Sequence, residues 1–276
     1  MHCAWASRPP GLRTHRAVRS GPGLFTALVV AFTACASVTP SREPLVSDRP
    51  DFTESTSTVQ RGDVQAEGGY TFSRTEGDRS STAGELLVRI GVMRRAELRV
   101  EPGSYAWVKS DSGKQSGRDD AEIGTKLRLH NAEGERPSPL PAVSLILKST
   151  VPTGSAAFRQ NRMQPEVGLA TEWTLARHVA LGANLDAARP VGDDGQRYTQ
   201  FAVSASFGFD LSLRIGAFAE AFGFVPEISG ARRTGYLDTG LTAAISPDLQ
   251  FDLRGGIGVN GTAPDYFIGA GLVRRW

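Results

Sequence analysis

Phe201-Ala202-Val203-Ser204-Ala205-Ser206-Phe207-Gly208-Phe209-Asp210-Leu211 is the stretch that decides the fold class. Phe201, Val203, Ala205, Phe207, Phe209 and Leu211 fall on one face of an extended strand, and small or polar residues lie between them. Side chains alternate across a strand with a period of two, so this segment has one oily face and one wetter face. The pattern recurs. Ala121, Ile123, Thr125, Leu127 and Leu129 alternate with Glu122, Gly124, Lys126 and Arg128. Leu249, Phe251 and Leu253 alternate with Gln250, Asp252 and Arg254, and Val179, Leu181, Ala183 and Leu185 with Gly182, Asn184 and Asp186. Leu86, Val88 and Ile90 alternate with Glu85 and Arg89, although Leu87 is apolar on the polar side. Weaker alternation over 64–73, 96–108, 142–151, 166–175, 213–225, 236–246 and 265–276 brings the expected number of strands to twelve.

Alternation alone does not separate a soluble sandwich from a membrane barrel. The polar face carries Glu67, Glu85, Arg89, Glu97, Arg99, Glu122, Lys126, Arg128, Lys148, Glu166, Glu172, Asp210, Asp252 and Arg254. In a membrane barrel the aliphatic face meets lipid and charges of both signs line the lumen. The connections agree. Tight ones are expected at Met93–Arg95, Ala176–His178, Asp210–Leu213 and Ser246–Asp248. Longer polar ones are expected at Ser73–Thr82, Lys109–Asp119, Pro152–Arg162, Pro190–Arg197, Pro226–Thr234 and Asn260–Asp265, with Asn131–Pro141 out of step. That parity is the habit of outer-membrane barrels, with short periplasmic turns and longer extracellular loops. A closed sheet also satisfies every backbone N–H and C=O in hydrocarbon, and strands of about 10 residues cross a bilayer when tilted. The expectation is therefore an all-β, about 12-stranded antiparallel transmembrane β-barrel over residues 63–276.

Residues 1–36 read differently. Four arginines without an acid precede the apolar run Leu24–Phe32, and Ala34-Cys35-Ala36 offers a cleavage site, the signature of a signal peptide. Phe32-Thr33-Ala34-Cys35 leaves open lipidation at Cys35 instead of cleavage at Ala36. Removing those four arginines from 31 basic residues leaves 27 against 29 acidic ones, a balance of −2, so the basic character is no argument for nucleic-acid binding. Both cysteines, Cys3 and Cys35, leave with that segment. Residues 37–62 lack periodicity and are expected to form a tether or an N-terminal lumen plug. The chain ends on Trp276, with Ala270, Leu272, Ile268 and Tyr266 on the same face and Arg274 interrupting it; a terminal aromatic on an alternating strand is similar to the signal read by the outer-membrane assembly machinery.

One string is more specific. Ser47-Asp48-Arg49-Pro50-Asp51-Phe52-Thr53-Glu54-Ser55, just before the strand Gln65–Phe72, resembles the opening of the bacterial family named for the MetA-pathway of phenol degradation. Lys148-Ser149-Thr150-Val151-Pro152-Thr153-Gly154 is similar to that family's fifth strand, and the resemblance covers about 45–276. It implies an outer-membrane barrel, some relatives of which are linked to uptake of aromatic compounds. In the string, Asp48, Arg49, Asp51 and Glu54 surround the stiff Pro50 and lie next to Phe52, which suits a plug pairing with lumen residues such as Arg99, Arg128 and Arg254; a solvated linker is the alternative.

Chemistry offers little competition. His130 and His178 both fall in expected turns, and their spacing gives no metal site. Gly255-Gly256-Ile257-Gly258 precedes no helix and suits sheet curvature instead of phosphate binding. Trp107, Trp173, Tyr105, Tyr198 and Tyr236 lie near strand ends as candidates for interfacial girdles. Phe218, Phe222 and Phe224 share a face with Arg214 and Glu220; pointing inward, they would form an apolar patch. The expected function is a channel of the Gram-negative outer membrane passing small, hydrophobic or aromatic solutes, without catalysis or cofactor. Its expected partners are lipid, the assembly machinery and solutes. A non-conducting anchor or scaffold and a lipolytic enzyme are the alternatives.

Overall fold

The structure, a computed structural model, describes residues 43–276 apart from 112, 133–137, 193, 231–232 and 261–262. The expected signal peptide 1–36, with Cys35 and Ala36, lies outside the described residues. Among those described, the strands are β1 (Val64–Thr75), β2 (Asp78–Met93), β3 (Ala96–Glu101), β4 (Tyr105–Ser110), β5 (Gly113–Arg118), β6 (Ala121–His130) and β7 (Ala142–Val151). They continue as β8 (Gln164–Ala176), β9 (Val179–Ala188), β10 (Gln200–Asp210), β11 (Ile215–Val225), β12 (Thr234–Ser246), β13 (Leu249–Gly258) and β14 (Tyr266–Arg275).

All pairings are antiparallel, and β1 joins β14 on one side and β2 on the other, so the sheet closes. The long β2 pairs with β3 along 88–93 and with β4 along 79–83. β3 and β4 are thus one barrel strand, interrupted where Pro102 has no amide to donate and Gly103 takes a positive φ. β5 and β6 form the next, broken at Asp119–Asp120. The barrel has twelve strands.

Tight turns join β2–β3, β8–β9, β10–β11 and β12–β13 at the end where the chain enters β1, and residues 131–141 are the long connection at that end. At the opposite end, 152–163, 189–199, 226–233 and 259–265 are long. Two expected loops there are corrected. Residues 73–82 continue the ladder, pairing Arg74 with Arg79 and Thr75 with Asp78 around Glu76-Gly77. Residues 109–119 likewise hold the β4–β5 hairpin. Both stretches lack an oily face because water meets them on both sides beyond the bilayer. Their backbone ladder persists, and a Ser73–Ser80 hydroxyl contact of 2.5 Å ties the first hairpin across.

The burial pattern is inverted relative to a soluble protein. Glu67, Arg89, Glu97, Lys126 and Asp252 have no accessible surface, while Leu241 and Ile268 keep 49% and 55% of theirs. Val203, Phe207, Leu253 and Leu272 are exposed in the same way. A continuous aliphatic exterior of this kind belongs in acyl chains. Tyr236 corrects the girdle expectation: it is buried inside, its hydroxyl donating to Glu227 at 2.7 Å. Tyr105 and Trp107 remain an exposed outward pair with ring centroids 4.6 Å apart.

Candidate functional site

The polar wall is occupied by the chain's own N-terminal segment. Strand register builds the receiving surface: Arg89 stands opposite Arg99, Glu97 opposite Lys126, and Gln65 opposite Arg89. Asp48 is inserted among them. Its carboxylate lies 2.6 Å from Arg99, 2.7 Å from Lys126 and 3.3 Å from Arg89, while its amide donates to Glu67 at 2.9 Å. Burial alone would raise the Asp48 carboxyl, but these three cations hold it well below the usual carboxylate range. Glu54 adds a 2.8 Å bridge to Arg99. Arg89 ties Glu67 and Glu97, each at 2.9 Å, and donates to the Ser57 carbonyl at 2.7 Å. The Val59 amide donates to Glu97, and the Ser144 hydroxyl to the Thr56 carbonyl. Asp48, Glu67, Arg89, Glu97, Arg99 and Lys126 each meet at least one partner of opposite sign, the condition under which buried charges are tolerated.

Arg49 reaches the other side of the lumen, 2.9 Å from Glu85 and 3.4 Å from Asp252. It lies over Gly69 and Gly271, which pair directly on β1 and β14; a Cβ at either would overlap the guanidinium. Glu85 has φ +37° beside a register shift in β1–β2, an uncommon conformation for a non-glycine residue, and it ends facing Arg49. Gly271→Ala is expected to unseat Arg49 at a cost of about 2 kcal/mol, the loss of charge-assisted hydrogen bonds. Increased protease sensitivity of residues 43–62, with the barrel's gel shift intact, is the measurement.

Glu220 anchors the turn. It accepts the amides of Phe52 and Thr53, both at 2.7 Å, and the Thr53 hydroxyl, whose oxygen lies 2.7 Å from the Ser204 hydroxyl. The β11 phenylalanines point inward. Phe52 stacks on Phe222 at 4.7 Å, Phe222 stacks on Tyr236 at 4.6 Å, and Phe224 meets Phe52 edge-on at 5.3 Å. Beside them Asp51 is pushed up to about 7 by burial and then by the charge of Glu220, against a Ser206 hydrogen bond that lowers it. A carboxyl whose seated value is raised from 3.8 favours the seated state fully below that value. The contribution fades as pH climbs to about 7, by up to about tenfold per pH unit, and is flat above. Amide exchange of Phe52 and Thr53, compared with Asp51→Asn at each pH, should show that loss in the parent and not in the variant.

Of the residues expected on the polar face, Glu67, Glu85, Arg89, Glu97, Arg99, Lys126 and Asp252 meet the segment or its charged partners as described. Arg128 donates to the Thr58 carbonyl at 3.2 Å, Arg254 to the Pro50 carbonyl at 3.0 Å, and Glu172 accepts from Thr56 at 3.3 Å. Glu122 and Glu166 gather round Lys148 at 3.6 and 3.4 Å. Asp210 departs from the set: it has the inward parity of β10 but is its last residue and is exposed at the rim. Sequence reading did not single out Ser204, Ser144, Gln65 or Asp238, and left the direction of Glu220 open; Ser204, Asp238 and Glu220 lie on faces whose neighbours are small or aromatic, so no charge contrast marked them, and the uncharged Ser144 and Gln65 carried none of their own.

The segment stands between two cavities, and Arg49 and Asp51 line both. One of about 390 Å³ reaches Ser104 and Gln200; the other, of about 680 Å³, reaches His178 and Asp210 at the tight-turn end. His130 lies elsewhere, exposed, its Nδ1 2.8 Å from the Pro141 carbonyl.

Among solved structures, the chain is similar to the COG4313 outer membrane channel from Pseudomonas putida F1, with a TM-score of 0.63 and 15% identity over 84% of this chain and 100% of that one. The NanC porin follows at a TM-score of 0.50 and 10% identity, covering 76% of this chain and 98% of its own. The KdgM porin has the same score at 8% identity over 75% and 98%. At these identities the likeness is one of fold, and it agrees with the lipid-facing exterior in locating the barrel in a bacterial outer membrane. No curated protein gives a significant match. Residues 47–276, from the Ser47–Ser55 string to the terminal tryptophan, match the family described as "Putative MetA-pathway of phenol degradation", and the chain belongs to that family.

Proposed function

We propose that this protein is a channel for small solutes whose lumen is held shut by its own residues 43–59. The observation that carries the reading is the placement of Arg49 and Asp51 between the two cavities, with Asp48 locked by three cations of the wall. An empty scaffold barrel has no need of an internal segment so heavily bonded to its wall. The inward rings of Phe52, Phe222, Phe224 and Tyr236 support a solute with an aromatic or other apolar body. Solute passage needs no covalent chemistry, so the reading involves no enzyme activity. Residues 1–36 serve export, and the exposed Trp276, whose backbone pairs with Val64 at 2.9 Å, serves recognition by the assembly machinery.

Planar-bilayer recording tests it. The full chain should be silent or flicker rarely, and deletion of 43–59 should give discrete conductance steps. A deletion protein that keeps its gel shift and yet never conducts would favour a non-conducting anchor.

A further inference from the structure

We infer that the 390 Å³ cavity on the long-loop side of the segment is selective for small organic cations, an ammonium group carried on an apolar or aromatic body. The inference deepens the channel reading and rests on it. One wall of the barrel is built with too few bases. Reading round it, Glu101 stands opposite Glu122, Lys148 opposite Glu166, and Asp186 opposite Gly168. Four carboxylates therefore share one ammonium over five neighbouring strands. Lys148 lies 3.6 Å from Glu122 and 3.4 Å from Glu166, and Glu101 and Asp186 make no hydrogen bond or close ion pair among the described residues. Like charges set opposite each other across a sheet repel. Gly168 lets Asp186 lie back against the wall, since a Cβ there would overlap its carboxylate oxygen.

The other cations of the lining do not relieve the imbalance. Among the described residues the cavity is bordered by seven carboxylates and four cationic side chains. Arg49 is spent on Glu85 and Asp252 and Arg99 on Asp48 and Glu54; Arg254 donates to the Pro50 carbonyl and to Thr71, neutral acceptors that leave its charge in place, and the lining still holds three more carboxylates than cations. Negative charge in a cleft with low-dielectric walls concentrates cations. An independent feature of the same cavity fixes what kind: Phe52 and Phe224 stand in its lining, with Leu87, Ala188 and Ala202. Aromatic rings attract poorly hydrated organic ammonium groups, and the volume falls in the range of small-molecule sites. A directly coordinated metal ion fits less well, because among the described residues no group of three acidic, histidine or cysteine side chains is placed to hold one.

The test is binding, measured by titration calorimetry on the full chain in uncharged detergent. The probes are benzyltrimethylammonium, benzyl alcohol and benzoate. The cation should bind about tenfold or more tightly than the neutral alcohol, and benzoate not at all. Glu101→Gln with Asp186→Asn should erase that preference while the heat-modifiable gel shift persists, and Phe224→Leu should weaken cation binding alone. Equal affinity for cation and alcohol would overturn the inference, as would an unchanged preference in the double variant. So would absence of cation binding from pH 6 to 8.5, the result expected if protons already neutralise the wall. A full chain that shows no cation preference, while deletion of 43–59 gives discrete conductance steps, defeats this inference and leaves the channel reading standing.

Discussion

Asp48→Ala is expected to release the N-terminal segment from the lumen. Three cations depend on this carboxylate: Lys126 at 2.7 Å, Arg99 at 2.6 Å and Arg89 at 3.3 Å. Lys126 and Arg89 have no accessible surface at all, so water cannot replace the lost partner without the segment moving. Stripping one member from a buried ion pair costs about 3–5 kcal/mol, which shifts the seated-to-released ratio by roughly a hundred- to several-thousandfold. Glu54, Glu67 and Glu97 offer the stranded cations other anions and argue for the lower end. Asp48 has no part in the strand ladder, so the barrel should still resist detergent until boiled. Limited proteolysis followed by mass measurement reads the outcome: protected residues 43–62 in the parent, cleaved in the variant. If protection is unchanged, the ion network is not what seats the segment.

A comparably large effect is expected on the opposite face. Leu241 lies mid-strand on β12, half exposed and flanked by the inward Gly240 and Thr242. An arginine there faces hydrocarbon and should cost about 2–4 kcal/mol of folding free energy. Refolding into phospholipid vesicles over a urea series, scored by the gel shift, measures it. A soluble protein would tolerate the same change at an exposed site with almost no penalty, so a null result would remove the membrane-facing assignment of the aliphatic surface.

The strand count and the inversion of the two faces were legible because the period of two is strong where one side meets lipid. Phe201 to Leu211 shows this, as does Ala121 to Leu129. The hairpin extensions at 73–82 and 109–119 were not legible, since strands bathed in water on both sides carry no apolar contrast. The charged string 47–55 suggested pairing with Arg99, Arg128 and Arg254, and each of these touches the segment, at Asp48 and Glu54, at the Thr58 carbonyl and at the Pro50 carbonyl. Its central anchors, Lys126 and Glu220, could not be named as such. Which wall residue meets which residue of 43–62 depends on the path of a segment without periodicity, and that path follows from three-dimensional fit. The direction of Phe222 and Phe224 was ambiguous for a related reason: aromatic side chains suit both lipid and an apolar patch in the lumen, and alanines occupy the other face.

The segment runs into β1 through a single turn, where Gly62 donates to the Gly91 carbonyl at 2.8 Å and Asp63 to the Gln60 carbonyl at 3.0 Å. It is therefore an intramolecular ligand on a very short leash. Its effective concentration at the lumen wall is of millimolar order or higher, so a free peptide of the same sequence competes poorly and dilution of the protein changes nothing. Release of the segment from the wall is, on the proposed reading, a first-order event. Lengthening the leash by flexible residues after Gln60 lowers that concentration only slowly, so seating should weaken by small steps and never abruptly.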